Sequence, residues 1–491
     1  AEVHLNDSIP VNLTYDIPSR KLNLPFTPGD LKAIIMSKDP TEPLQNNLVK
    51  IGFGYPSAVL FDIHVNTGAS KKGIAGFDAN YTGFNGKSLQ DMNDYSTKAW
   101  GTVFGKKMMS GAYAGFGGGT HYLMSKPDKL MFIPKIDLRI PTNNILFGAD
   151  VRNIKFLKDD FSYNFCVDGN YFTRHIAAGN GTLQTELYFT TALSLIKKFD
   201  ANHLRFDLTY SNNTYDYDTT LSNFRVQVNP SYNLIEDGGN AHIGLNLFAA
   251  DSTIILAPDI TGEFNLSGDA IIIFGEAVSH YQLNNLFALT SINPFIGKQF
   301  QTSPDFETDI NIGIKGSINS NLMYSINAGE AFHTFMNVYI PDTLNPVTYS
   351  ALIDTNKKAF HMHAEVSYKQ NERINISGSA DYYKYTTRNF TTAYGIPNAR
   401  ISALLNYKLN NKLNLGTELF AYSSSPSINP ISHTNETIKG RLDLSAGLTY
   451  NYKTKFGFFL QLNNFAASQY QRWYSYTTYG FNFLAGLNLK F

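Results

Sequence analysis

The stretch Tyr479-Gly480-Phe481-Asn482-Phe483-Leu484-Ala485-Gly486-Leu487-Asn488-Leu489-Lys490-Phe491 decides the architecture. Its odd positions carry Tyr479, Phe481, Phe483, Ala485, Leu487, Leu489 and Phe491; its even positions carry Gly480, Asn482, Leu484, Gly486, Asn488 and Lys490. Successive side chains of a β-strand point to opposite faces. One face is therefore continuous hydrocarbon and the other is mostly polar or small. The same period runs upstream. Ile438, Gly440, Leu442, Leu444, Ala446, Leu448 and Tyr450 alternate with Lys439, Arg441, Asp443, Ser445, Gly447, Thr449 and Asn451. Phe456, Phe458, Leu460 and Leu462 alternate with Lys455, Gly457, Phe459, Gln461 and Asn463. Ala399, Ile401, Ala403, Leu405 and Tyr407 oppose Arg400, Ser402, Asn406 and Lys408, with Leu404 as the exception.

A soluble β-sandwich also alternates, but with shorter strands and a charged outer face. Strands of ~9–11 residues with an apolar face, a polar lumen and aromatic ends fit a transmembrane antiparallel barrel. Composition agrees. Of 491 residues 43% are hydrophobic and only 16% charged, against about a quarter charged in soluble domains. Forty basic residues balance forty acidic ones, so no net field draws nucleic acid. The aliphatic and aromatic content excludes intrinsic disorder. No run approaches the ~18 apolar residues of a spanning helix, since Ala270-Ile271-Ile272-Ile273-Phe274 is broken by Gly275 and Glu276.

Connections of two sizes sharpen the expectation of short periplasmic turns and long extracellular loops. Asn319-Ser320, Gln370-Asn371, Asn410-Asn411 and Lys453-Thr454 read as short turns, as do Glu236 to Asn240 and Ser267 to Asp269. Asn285 to Pro304, Phe332 to Lys358, Asn389 to Pro397, Ser423 to Thr437 and Ala466 to Trp473 read as long loops. At roughly 20 residues per strand, the chain from Leu48 onward holds about 22 strands, within an even range of about 14 to 22. Asp128 to Ile140 reads either as a strand or as an elaborated loop. Phe491 is a terminal aromatic of the kind that barrel-insertion machinery reads.

Residues 1–46 differ. Pro10, Pro18, Pro25, Pro28, Pro40 and Pro43 punctuate them, and proline removes a ladder donor. This proline-rich segment is expected to be periplasmic, extended or irregular, with one short helix over Leu31 to Met36, and to precede a barrel over 47–491. Its expected role is a leader tail, a docking arm or a partial occluder of the lumen. Ala1 follows no basic or apolar leader and is not cysteine, as in an exported chain after signal removal.

Val49-Lys50-Ile51-Gly52-Phe53-Gly54-Tyr55, then Ser57-Ala58-Val59-Leu60-Phe61 and Ser70-Lys71-Lys72, resemble the opening hairpins of plug-less, TonB-dependent-receptor-like barrels of Bacteroidota outer membranes. The resemblance implies a large barrel in a Gram-negative outer membrane. It also suggests an accessory subunit of an envelope machine such as the β-barrel assembly machinery. The leading segment is far shorter than a receptor plug domain, and no TonB-interacting box is evident, so energy-coupled import by this chain alone is not expected.

Isolated chemistry-bearing residues give little. Cys166 is the single cysteine, too few for a disulfide or thiolate metal site. His361 and His363 share a strand face, but two ligands do not make a zinc site. Asp216 with Asp218 and Asp159 with Asp160 supply too few oxygens for calcium. Gly117-Gly118-Gly119 is not followed by the Lys-Ser/Thr of a phosphate loop. Ser279 and His280 are strand neighbours pointing apart, so they do not pair as nucleophile and base. No enzyme activity, cofactor or metal is expected.

In this reading Tyr479, Phe481, Phe483, Leu487 and Leu489 face lipid, while Arg400, Glu418, Lys439, Arg441 and Asp443 project into the lumen. An ion-selective channel concentrates one sign of charge at its constriction; the mixture here suits a cross-linked or loop-filled lumen. The leading expectation is therefore a structural or accessory subunit of an outer-membrane complex, with a passive pore or substrate-specific transporter as the alternative. Its partners would be membrane lipid, lipopolysaccharide and other envelope proteins, barrel or lipoprotein subunits, and not nucleic acid. Both termini are expected in the periplasm.

Overall fold

The computed structural model describes residues 47–85, 91–122, 139–153, 160–176, 182–217, 219–236, 238–250, 253–343, 345, 347–466 and 470–491. The chain divides into two units, Ala1–Leu44 and Gln45–Phe491. The first unit lies outside the described residues, and so do the short helix and the proline-punctuated conformation expected there.

The second unit is a closed antiparallel barrel of 22 strands. Consecutive strands pair as hairpin neighbours, and the ring shuts where the first strand, Leu48–Tyr55, meets the last, Asn482–Lys490. The register at this seam runs from Leu48 opposite Lys490 to Tyr55 opposite Phe483. Asn47 and Phe491 extend it by exchanging backbone hydrogen bonds of 3.1 Å. Backbones approach closely here. A Cβ on Gly54 would lie 1.7 Å from the Phe483 carbonyl oxygen, and one on Gly486 would lie 2.0 Å from that of Ile51. Only glycine fits either place. Closure leaves no unpaired edge, which a sheet inside hydrocarbon requires.

Alternation along the strands becomes an inside and an outside. Phe53, Leu256, Ile312, Leu487 and Leu489 belong to the exposed outward set. Asn229, Asn246, Asn311 and Asp381 on the inward set are buried and hydrogen-bonded to other inward side chains. Both ends of the ring share a rim with the short turns at 200–201, 320–321, 371–373 and 454–455. The longer connections, 283–304, 387–398, 423–440 and 464–481, all leave the other rim.

Wall height is uneven. Seam strands are short, at 8 residues for Leu48–Tyr55 and 9 for both Ala58–Asn66 and Asn482–Lys490. Leu322–Pro341 has 20 residues and Tyr349–Gln370 has 22. The stretch read as a loop from Phe332 to Lys358 is accordingly the top of this tall hairpin, with Phe332 opposite Lys358 in register. Its Asn, Lys and Thr residues look loop-like in sequence, yet they continue a ladder that rises beyond its neighbours.

Other boundaries shift as well. The strand read from Ile438 begins at Arg441; Ile438 instead ends a small hairpin, Ser425–Ile428 with Asn435–Ile438, inside the loop. Lys439 follows that hairpin and is exposed, so it does not stand on a wall strand. Tyr479 precedes the last strand and stacks on Phe84 at 5.6 Å. Most of the ambiguous stretch from Asp128 lies outside the described residues, and a strand begins at Arg139.

Candidate functional site: a lid seated in the barrel mouth

The connection 283–304 does not loop away from the rim. Asn285 is followed by Leu286-Phe287-Ala288-Leu289, and its side chain accepts from the Ala288 N–H at 2.8 Å. That cap satisfies one orphan donor and starts a two-turn helix, Leu286–Ile292. A short strand, Ile296–Phe300, follows and runs parallel to the beginning of Tyr349–Gln370. At the lid's base the outgoing and returning segments are tied together by Asn284, whose amide donates to the carbonyls of Ser303 at 2.9 Å and Phe335 at 3.2 Å.

This lid is fixed to opposite sides of the mouth. On one side stand the inward residues of Phe161–Ile176, Thr182–Phe199 and Asn202–Tyr217. Glu186 there accepts from the backbone N–H of Leu286 at 2.8 Å, from that of Phe287 at 2.9 Å and from the Asn213 amide at 3.0 Å. Phe287 meets Phe172 edge-on at 5.4 Å, and Phe300 meets Tyr215 at 5.0 Å. On the other side, Phe295 stacks on Tyr476 at 3.7 Å, and its carbonyl accepts from the Tyr349 N–H at 2.9 Å. Leu289 and Ile296 join Ile140, Ile176, Tyr339, Tyr349, Trp473 and Tyr476 in one buried cluster. Aromatic pairs of this kind add attraction beyond the area they bury.

The remaining long connections brace the lid's far support. Tyr349 donates its hydroxyl to the Tyr474 carbonyl at 2.8 Å, and Tyr476 donates to that of Val347. Burial pushes the Tyr476 phenol far up, so it stays a donor. Burial and the hydrogen bond to Asp443 push the Tyr470 phenol up to about 12.

Beneath the lid the lumen wall is polar. A cavity of about 650 Å³ is lined by Arg205, Asp207, Asn229, His242, Asn246 and Asp259, among others. Here Arg205 Nε donates to Asp207 at 2.6 Å, and the Asn229 amide donates to Asp259 at 2.7 Å. On the next strands along the wall, histidines pair with carboxylates. His361 Nε2 lies 2.7 Å from Asp309 and His363 Nδ1 lies 2.6 Å from Asp381. His361 and His363 thus share a face but serve different carboxylates. Asp305, Glu307 and His333 bring possible ligand atoms within 4.8 Å of one another. Asp305 is already engaged, with one oxygen 2.7 Å from His333 Nδ1 and the other accepting from the Phe335 N–H at 2.9 Å. As it stands this is a hydrogen-bonded cluster. Its members lie 28 residues apart at the extremes, so spacing gave no sign of it.

The residues expected in the lumen fall into two groups. Arg400 donates to Asp381 at 3.1 Å. Arg441 lies over the Tyr422 ring at 4.0 Å, and Asp443 accepts from the Tyr470 hydroxyl at 2.7 Å. Glu418 shares a cavity lining with His363 and Ser379. Lys439 belongs to the loop instead. Ser279 is buried and shares a hydrogen bond with Thr308 at 2.9 Å, while His280 is exposed. Cys166 is half-buried and free. Asp216 accepts from Thr220 across the adjacent hairpin at 3.3 Å; Asp159 and Asp218 lie outside the described residues. Gly117 to Gly119 sit within the strand Met108–Tyr122. Sequence reading missed the lid and its anchor Glu186, although Asn285 followed by an apolar pair three residues apart is a helix-start signature.

No protein-family model matches the chain, and no curated protein matches it in sequence. Solved structures do match. The FrpB iron transporter of Neisseria meningitidis aligns with a TM-score of 0.71 and 12% identity, over 91% of this chain and 81% of that one. A mutant ferric enterobactin receptor of Pseudomonas aeruginosa aligns at 0.68 and 10%, over 91% and 80%. The ferric-catecholate import receptor Fiu of E. coli K12 aligns at 0.67 and 10%, over 91% and 82%. Identities this low speak for the fold alone, a closed 22-strand antiparallel barrel.

Proposed function

We propose that the chain is an outer-membrane transport barrel whose polar lumen is gated by the lid 283–304. In this reading the long-connection rim faces outward and both ends of the ring face the periplasm. One observation carries it: a wall carboxylate, Glu186, buried at 1% exposure, holds the lid's leading backbone N–H groups inside the mouth. A carboxylate removed from water must be matched by donors, and here the donors belong to the segment that crosses the passage. The neighbours named as receptors and transporters favour transport over the accessory-subunit role that the mixed-sign lumen, the proline-rich leading segment, the lack of a plug and the family resemblance put first. Residues 1–46 enter this reading as a separate periplasmic segment.

The test is removal of the lid. Residues 285–303 are replaced by a short Gly-Ser linker, and both proteins are reconstituted in planar bilayers. Heat-modifiable migration on gels verifies that the barrel has formed. The shortened protein should show steady, large conductance steps where the parent shows rare ones. Equal conductance in the two proteins overturns the proposal.

A further inference from the structure

Beside the latch, the wall carries a charge that has no match among the described residues. Arg174 is 1% exposed, and its Nε, Nη1 and Nη2 all lack a hydrogen-bond partner. Gln184, directly opposite it in register, is 0% exposed, with both amide atoms likewise unpartnered. Both residues alternate with the outward Tyr171, Leu183 and Leu187, so they point inward, one step nearer the lid's rim than the Phe172–Glu186 pair. Glu186, the nearest inward acid along the strand, is committed to Leu286, Phe287 and Asn213. No described carboxylate reaches the guanidinium.

Native interiors almost never leave a guanidinium bare, because an unmatched buried charge is strongly disfavoured. A guanidinium is a rigid fork of five donors that fits a planar oxyanion, and an adjacent amide supplies a further donor. We infer that Arg174 and Gln184 form a binding site for an oxyanion, a carboxylate or phosphate group of the solute, and that its arrival favours displacement of the lid. This rests on the transport reading above and names its substrate class. Phe172 and Tyr215, buried alongside, supply an apolar wall for the rest of such a solute. A neutral solute leaves the charge unmatched, and a cation is repelled. With the lid seated the guanidinium is both dry and unpaired. An oxyanion that pairs it only when the lid has moved therefore shifts the equilibrium toward the open mouth.

The chain's two tryptophans allow a direct measurement. Trp100→Phe leaves Trp473, which packs in the same buried cluster as Leu289 of the lid, as sole reporter. The full chain in detergent is titrated with inorganic phosphate, with succinate, and with choline and glucose as cationic and neutral controls. Equilibrium dialysis runs in parallel with each anion. Saturable binding of phosphate or succinate, with a change in Trp473 emission and no response to the controls, is expected. The anion that responds identifies the source of the oxyanion. Arg174→Met and Gln184→Leu should each weaken binding at least ~10-fold, the loss expected when a charge-assisted hydrogen-bond partner is removed. If Arg174→Met does not fold, as judged by heat-modifiability, Gln184→Leu decides alone. Absence of saturable binding, or binding unchanged in every folded variant, overturns the inference. Because binding is read without conduction, the lid-removal result stays independent of it.

Discussion

Replacing Glu186 with alanine tests the latch at its strongest point. The lost carboxylate accepts from Leu286 and Phe287 of the lid at 2.8 and 2.9 Å, and Leu286 is 0% exposed. Charge-assisted hydrogen bonds contribute about 1.5–3 kcal/mol each, so at the low end the seated lid loses about 3 kcal/mol. Relief of the carboxylate's own burial returns about 1 kcal/mol, leaving a net shift of about 2 kcal/mol toward the open mouth. That corresponds to roughly a 30-fold rise in the ratio of open to closed lifetimes. Glu186→Gln keeps one acceptor oxygen, so a shift of about 1 kcal/mol, or roughly 5-fold, is expected for it. Single-channel recording in planar bilayers reads the ratio directly, with heat-modifiability to verify folding. A correctly folded E186A protein whose lifetimes match the parent's would show that the carboxylate does not hold the lid.

Further outcomes follow from other contacts. Phe295→Ala removes the stack on Tyr476 and should raise opening by roughly 10-fold, an aromatic pair plus its burial giving about 1.5 kcal/mol; double-mutant recording with Tyr476→Ala should show the two changes to be non-additive. Asp381→Ala strips Arg400 and His363 of their shared carboxylate. Urea unfolding in lipid should register a loss of about 1–3 kcal/mol, without change in the resting conductance. Ile312→Arg puts a charge at a 66% exposed outward position; if that face meets acyl chains, the same assay should lose about 2–4 kcal/mol. Deleting residues 1–46 touches none of the seam's backbone bonds from Asn47 onward, so the shortened chain should still form a heat-modifiable barrel.

How far the sequence reveals this molecule depends on the range of the interaction involved. Strand alternation is local, and Phe481 to Leu489 display it without ambiguity because one face of a barrel strand meets a single environment along its whole length. Tight turns such as Asn319-Ser320 are equally local. The height of Leu322–Pro341 and Tyr349–Gln370 is hidden in the sequence because, beyond the apolar band, both faces of a ladder tolerate polar residues, and the alternation that marks a strand disappears. The lid falls between these cases. Its helix carries a readable start signal at Asn285, but nothing nearby reveals whether the helix turns outward or into the mouth. Glu186 supplies that information from 100 residues away, and a lone glutamate in a strand looks like any other lumen charge. Arg174 and Gln184 are likewise ordinary in sequence and become unusual only once burial and the want of partners are seen together.

The low wall at the seam carries a consequence for the surrounding bilayer. Eight residues rising about 3.3 Å each and tilted as barrel strands are span roughly 20 Å, less than the apolar band of about 25 Å that such barrels present. The hairpin of Leu322–Pro341 and Tyr349–Gln370 faces no such shortage. Acyl chains must compress beside Leu48–Tyr55 and can relax elsewhere, so the hydrophobic mismatch is one-sided. Lipids with shorter tails, or a second protein that is itself short across the membrane, would gather on that flank.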